Sequence, residues 1–148
     1  MKMNMRFDLV VVGGGHAGIE ASVAANKMGI KTALITMDKN AIGRMSCNPA
    51  IGGLAKGHLV REIDALGGIM GSFADLSGIQ FKMLNRSKGK AVWSPRAQID
   101  KKVYEKNISA YVRSQKNIQI IESEAKKILI KNNSVSGLML NNNKRINC

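Results

Sequence analysis

The apolar positions follow three different rhythms along this chain. Phe7–Val12 is a short β-branched run closed by glycine, which predicts a buried parallel strand. From His16 to Met28 the spacing becomes helical, with Ala17, Ala21, Ala24, Ala25 and Met28 on one face and Gly29 at the C′ position. Lys31–Thr36 predicts a second strand, so these segments make one βαβ crossover. Residues 41–57 are Gly-rich and loop-like, with an Asn48-Pro49 turn signal.

Leu59–Leu66 predicts a short helix stopped by Gly67-Gly68. Residues 71–95 are expected to be mostly irregular, with a strand at Ile79–Leu84. A second long helix is predicted from Ala97 to Ser114, its apolar face formed by Ile99, Val103, Tyr104, Ile108, Tyr111 and Val112. Ile118–Ile121 reads as a third parallel strand. Ala125–Lys131 and Ser134–Leu140 then form a hairpin around Asn132-Asn133, because Asn tolerates the left-handed conformation of a tight turn. A further turn at 141–143 leads into Arg145-Ile146. The expected fold is α/β, a Rossmann-like parallel sheet followed by the start of an antiparallel β-meander. That meander stops at Cys148 with its last strand barely begun, leaving an unpaired edge. The chain is therefore expected to be truncated: residues 1–148 form the N-terminal part of one larger domain, and the remainder is absent.

Composition adds charge to this picture. Twenty-three Lys and Arg against 10 Asp and Glu give a formal charge of +13. Such a surplus favours anionic partners, although Lys-, Asn- and Ile-rich composition drift produces the same balance. Two cysteines, Cys47 and Cys148, suggest no disulfide framework and fit a reducing compartment. Residues 1–6 are basic, but the apolar run after them is too short for a signal-peptide core. No segment approaches transmembrane length, so a soluble, cytoplasmic protein without membrane association is expected.

Gly13-Gly14-Gly15-His16-Ala17-Gly18 fits G-x-G-x-x-G between a strand and a helix, the context a dinucleotide-binding turn requires. Gly13 permits the tight turn, Gly15 lets a pyrophosphate approach the backbone, and Gly18 lets helix and strand pack closely. The phosphates then meet amide groups and the positive end of the helix dipole. His16 and Ala17 contribute backbone to the same turn. An acid usually ends the second strand to bind ribose. Here Thr36 stands there, and Asp38 follows either as a substitute or as a solvated turn residue.

Arg44-Met45-Ser46-Cys47-Asn48-Pro49-Ala50-Ile51-Gly52-Gly53 is followed by Lys56-Gly57-His58-Leu59-Val60 and Ile63-Asp64-Ala65-Leu66-Gly67-Gly68. With Gly78-Ile79-Gln80-Phe81, Ser87-Lys88-Gly89 and Pro95-Arg96-Ala97-Gln98, these blocks resemble the GidA/MnmG family from about residue 7 to about residue 125. Lys90 departs from the family, which often has Pro there.

The resemblance implies an FAD-dependent enzyme that places a carboxymethylaminomethyl or aminomethyl group on C5 of the wobble uridine of tRNA. It implies a flavoprotein larger than this chain, a homodimer working with the GTPase MnmE. NADH and methylenetetrahydrofolate are the implied co-substrates. A related alternative is the folate- and FAD-dependent tRNA uridine methyltransferase, where the Ser46–Pro49 block is not expected. A third is a non-catalytic fragment that binds nucleotide or tRNA.

Cys47 admits two readings from the residues alone: a thiolate favoured by Arg44 and Lys56, or a buried inert cysteine. The resemblance implies that it is catalytic and acts on the uridine ring or its intermediate. The resemblance also implies that Gly13 to Gly18 hold FAD and that Ala125 reaches the adenine through its backbone. It singles out Arg96 and Gln98 near the active site. Gly52, Gly53, Lys56 and Gly57 form a second glycine-rich loop, read either as backbone donors or as tight packing. Lys82, Arg86, Lys88, Lys90 and Arg96, with Trp93, read either as a nucleic-acid surface or as a solvated loop around a core Trp. No metal site is read.

Overall fold

The computed structural model describes residues 5–148. Of the basic start at residues 1–6, residues 1–4 lie outside them. In chain order the strands and helices are β1 (Met5–Arg6), β2 (Leu9–Val12), α1 (His16–Lys27), β3 (Thr32–Thr36), β4 (Ala50–Gly52), α2 (Lys56–Ala65), α3 (Met70–Leu76) and β5 (Gly78–Leu84). There follow β6 (Ser94–Ile99), α4 (Lys101–Ser114), β7 (Ile118–Glu122), β8 (Ala125–Lys131), β9 (Ser134–Leu140) and β10 (Arg145–Asn147). The described residues form two compact units, one made of residues 5–42 and 111–148 and the other of residues 43–110.

The first unit is the mixed α/β, Rossmann-like part. Its parallel sheet runs β2-β3-β7, in register from Leu9↔Thr32 and Thr32↔Ile118. Every residue of β3 is buried, as a strand with neighbours on both sides should be. A second sheet, β1-β10-β9-β8, carries the meander. Phe7, Ala33 and Ile35 bury one cluster with Leu138, Leu140 and Ile146. Each large aliphatic in it contributes roughly 1.5–3 kcal/mol of transfer free energy.

Three expectations change here. The first strand is not continuous: Met5-Arg6 pair with β10, while Leu9–Val12 pair with β3. The chain crosses between sheets at Phe7-Asp8, where Phe7 N–H bonds Asn147 O and Asp8 N–H bonds Lys31 O. The expected open edge at β10 is absent, because β10 pairs antiparallel with β9 and parallel with β1. The buried face of α1 is Ile19, Ser22, Val23 and Ala25, and Ala17, Ala21 and Ala24 are exposed. Branched aliphatics remove more apolar area from water than alanines do, and they set the rotation of the helix.

The second unit is a three-stranded antiparallel sheet, β4-β6-β5, with α2 and α3. The sequence missed β4, α3 and β6. The helix expected from Ala97 begins at Lys101 instead. Asp100 sets that start, its carboxylate accepting the backbone N–H groups of Lys102 and Val103 at 3.0 and 3.1 Å. Tyr104, Ile108 and Val112 form the buried stripe of α4, while Ile99 is buried on β6 and Val103 is 40% exposed.

Candidate functional site

In the first unit, the turn after β2 places Gly13 to Gly18 in one open cradle. Gly13 has φ +111° and its N–H bonds Ile35 O at 2.8 Å, so the turn is tied to the end of β3. A Cβ at Gly18 would overlap the carbonyl oxygen of Gly13, which leaves glycine as the only residue that fits. At Gly13 and Gly15 an added Cβ would meet nothing within 4 Å. The three positions therefore have distinct jobs: close packing at Gly18, an unusual backbone angle at Gly13, and unobstructed approach at Gly15.

Gly15 is the N-cap of α1 with no side-chain cap, and the first turn of the helix carries no acid. In any helix the first amides lack an i−4 carbonyl. An anion at this end meets those donors and the positive end of the helix dipole without a competing carboxylate. His16 and Ala17 open that turn, His16 partly exposed and Ala17 exposed. The cradle fits a pyrophosphate.

Gly14 has a job that its motif position alone does not reveal. A Cβ there would stand 3.0 Å from Thr36 Oγ1 and 3.3 Å from Ile42 Cγ1. Thr36 is buried against the turn, and its hydroxyl donates to Asp38 O at 3.1 Å. The Asp38 carboxylate accepts the Asn40 N–H at 2.8 Å and so caps its own short turn. That arrangement supports the solvated-turn reading of Asp38. Lys39 and Glu122 meet at the same strand ends, the Lys39 ammonium 3.3 Å from one carboxylate oxygen and its backbone N–H 3.1 Å from the other. Ala125 opens β8 opposite Leu140, at an irregularity in the β8–β9 ladder.

In the second unit, Cys47 lies in the loop before β4 and is exposed. The buried-cysteine reading is therefore corrected: the surrounding loop is anchored by other residues. Met45 is buried, and its N–H bonds Glu105 Oε1 at 3.0 Å. Pro49 O accepts the Ile99 N–H at 2.8 Å, and Lys56 Nζ donates to Ala50 O at 2.9 Å. The loop is held at both ends while Cys47 stays exposed.

The second glycine-rich loop is a packing device. A Cβ at Gly52 would overlap Pro95 O, and Gly53 N–H bonds that same oxygen at 2.9 Å. The N–H groups of Lys56 and Gly57 bond Leu54 O and Gly53 O. These donors are used within the loop and its neighbouring strand. Beside them a cleft of about 520 Å³ is lined by Ile51, Val60, Arg61, Asp64, Phe81 and Arg96, among others. Trp93 is not a core residue: it is 40% exposed, and its indole N–H donates to Arg86 O at 3.3 Å.

The profile of the family described as "Glucose inhibited division protein A" matches residues 8–148. The chain is 58% identical over 135 residues to the tRNA uridine 5-carboxymethylaminomethyl modification enzyme MnmG of Aquifex aeolicus, covering 91% of this chain and 22% of that one. The corresponding enzyme of Endomicrobium trichonymphae is 51% identical over 138 residues, covering 93% and 23%. Among solved structures, Aquifex aeolicus GidA in its form II crystal is 56% identical with a TM-score of 0.91, covering 96% of this chain and 24% of that one. The chain thus spans about a quarter or less of the length of these relatives. Among the described residues no helix is long and apolar enough to cross a membrane. By sequence and by fold, the chain belongs to the glucose inhibited division protein A (GidA) family.

Proposed function

We propose that this chain forms the N-terminal part of the FAD-binding domain of an enzyme that installs a carboxymethylaminomethyl or aminomethyl group on C5 of the wobble uridine of tRNA. The observation that carries this reading is the cradle at Gly13 to Gly18, open at Gly13 and Gly15 and closed at Gly18, in a chain 58% identical to a named MnmG. Gly13, Gly14, Gly15, His16, Ala17 and Gly18 hold the FAD pyrophosphate, and the backbone of Ala125 meets the adenine. When bound, the flavin supplies the reducing chemistry, with NADH as electron source and methylenetetrahydrofolate as carbon source.

Cys47 is the nucleophile of this reading. Its exposed thiol, as thiolate, adds to C6 of the uridine and makes C5 carbon-nucleophilic, which alkylation at C5 requires. The loop anchors at Met45, Pro49 and Lys56 restrain the backbone on either side of Cys47, which favours a reproducible approach. The names of the relatives support this reaction over the uridine methyltransferase. The parent enzyme works as a homodimer with the GTPase MnmE in the cytoplasm.

The test is a chimera in which this chain replaces the matching N-terminal segment of the Aquifex aeolicus relative. It should be yellow and should modify tRNA, and Cys47→Ser in it should abolish modification while flavin absorbance persists. Normal modification by the Cys47→Ser chimera would overturn the role given to Cys47.

A further inference from the structure

The β5–β6 hairpin carries an arrangement that folding alone does not favour. Lys82 pairs directly with Arg96 across the ladder, so both cations leave the same face of the sheet side by side. Like charges in directly opposed positions destabilise a ladder. Among the described residues, neither side chain has a hydrogen-bond or ion-pair partner to offset this. On the other side of Arg96, the paired β4 residue is Gly52, which has no side chain. The next pair on that face is Gln80 with Gln98, two amides that both donate and accept hydrogen bonds.

The charge continues along the hairpin. From Leu76 to Ile99 the chain has five cations, Lys82, Arg86, Lys88, Lys90 and Arg96, and no acid. Arg86 and Lys88 sit in the short helical turn that follows β5, and Lys90 in the next. Trp93 lies at the return. Its indole N–H is held by Arg86 O, and a 40% exposed ring is left beside the cations.

We infer that this hairpin is a docking surface for the sugar–phosphate backbone of RNA, with Lys82 and Arg96 together gripping phosphate. The inference rests on the reading of the substrate as tRNA and names the surface that holds it. Cations strung along a hairpin suit a polyanion better than a compact anion, for which they would converge on one point. The Gln80–Gln98 pair adds groups able to bond ribose hydroxyls or base edges, and Trp93 offers a stacking face to a splayed base. An anionic lipid surface would need the charge but has no use for the paired amides.

The test uses the 148-residue chain and fluorescein-labelled unfractionated tRNA, with binding read by anisotropy between 50 and 200 mM salt. The double variant Lys82→Gln, Arg96→Gln should bind about 10-fold more weakly at low salt, and its slope of log affinity against log salt should fall by about 1.4–1.8, the loss of two phosphate contacts. Lys126→Gln, Lys127→Gln on β8 removes the same charge from exposed positions elsewhere and should change affinity less than about twofold. In the absence of RNA the Lys82→Gln, Arg96→Gln variant should melt at the same temperature or higher, since a like-charge pair has been removed.

Equal weakening by the two double variants would reduce the effect to net charge and overturn the proposal, as would no weakening by either. Binding to phosphatidylserine vesicles through Lys82 and Arg96, without tRNA binding, would also overturn it. Ultraviolet crosslinking of tRNA to the unaltered chain is a readout independent of any variant's folding. Adducts on peptides from residues 80–98 support the docking surface, and adducts confined to α4 or β8 contradict it. A yellow chimera that modifies tRNA, together with failure of these hairpin tests, would sink only the docking surface and leave the enzyme reading standing.

Discussion

Gly18 lies so close to the carbonyl oxygen of Gly13 that a methyl group on its Cα would overlap that oxygen. This one approach fixes how α1 leaves the end of β2. It also separates two glycines that look equivalent in the motif: Gly18 is required by the fold, and Gly15 by whatever approaches from outside.

Gly18→Ala should therefore lose stability and cofactor binding together. The overlap is with backbone, so the turn must move, at a cost of about 1–3 kcal/mol. Gly15→Ala should keep its stability within about 0.5 kcal/mol, because its methyl meets open space, yet still lose FAD. Urea denaturation and flavin titration of the two variants, made in the chimera, separate these effects. Equal loss of stability in both would refute the division of labour.

Asp38 stands near the end of β3, where an acid would be expected to bind ribose, but its carboxylate caps its own turn. Asp38→Ala should cost about 1 kcal/mol, as a lost cap does, and leave flavin affinity within about twofold. Isothermal titration with FAD decides the point. A large drop in affinity would return Asp38 to the ribose.

Asp100 bonds the N–H groups of both Lys102 and Val103 at the start of α4. Asp100→Ala should destabilise the protein by about 1 kcal/mol, and Asp100→Ser should recover most of that. Chemical denaturation measures both.

Both cysteines are exposed, so a thiol reagent such as dithiobis(nitrobenzoate) should titrate two groups in the folded chain without denaturant. Failure of Cys47 itself to react, assigned by mass spectrometry of the labelled peptides, would restore the buried reading of Cys47.

What the sequence made legible, and what it concealed, follows from how much apolar patterning each element carries. The strands β2, β3 and β7 are apolar runs rich in β-branched residues, and their strand character is legible in composition, but only β3 is buried throughout. Strand β2, expected to be buried, is half-buried with Val12 57% exposed, because among the described residues it has a strand neighbour on one side only. The hairpin turn was equally plain, with Asn132 and Asn133 at φ 50° and 61° in the left-handed conformation it requires. The strand β6 was hidden because Ser94–Ile99 is half polar and contains Pro95, which argues against a central strand. Proline is tolerated because β4 stops at Gly52, opposite Arg96, so the position next to Pro95 needs no ladder donor on that side. The helix α3 is short, opens with a glycine second in line and has no side-chain cap. In the cradle, the motif revealed Gly13, Gly15 and Gly18, but the contact between Gly14 and Thr36 depends on β3 arriving beside the turn and has no signature in spacing.

The most direct measurement is the absorbance spectrum of the purified chimera carrying this chain in place of the Aquifex aeolicus N-terminal segment. The expected result is a folded protein with the near-ultraviolet and blue absorbance bands of a flavin, on the order of one flavin per chain, that disappear with Gly15→Ala. A folded, colourless chimera that cannot be reconstituted with FAD would contradict the assignment of the cradle at Gly13 to Gly18.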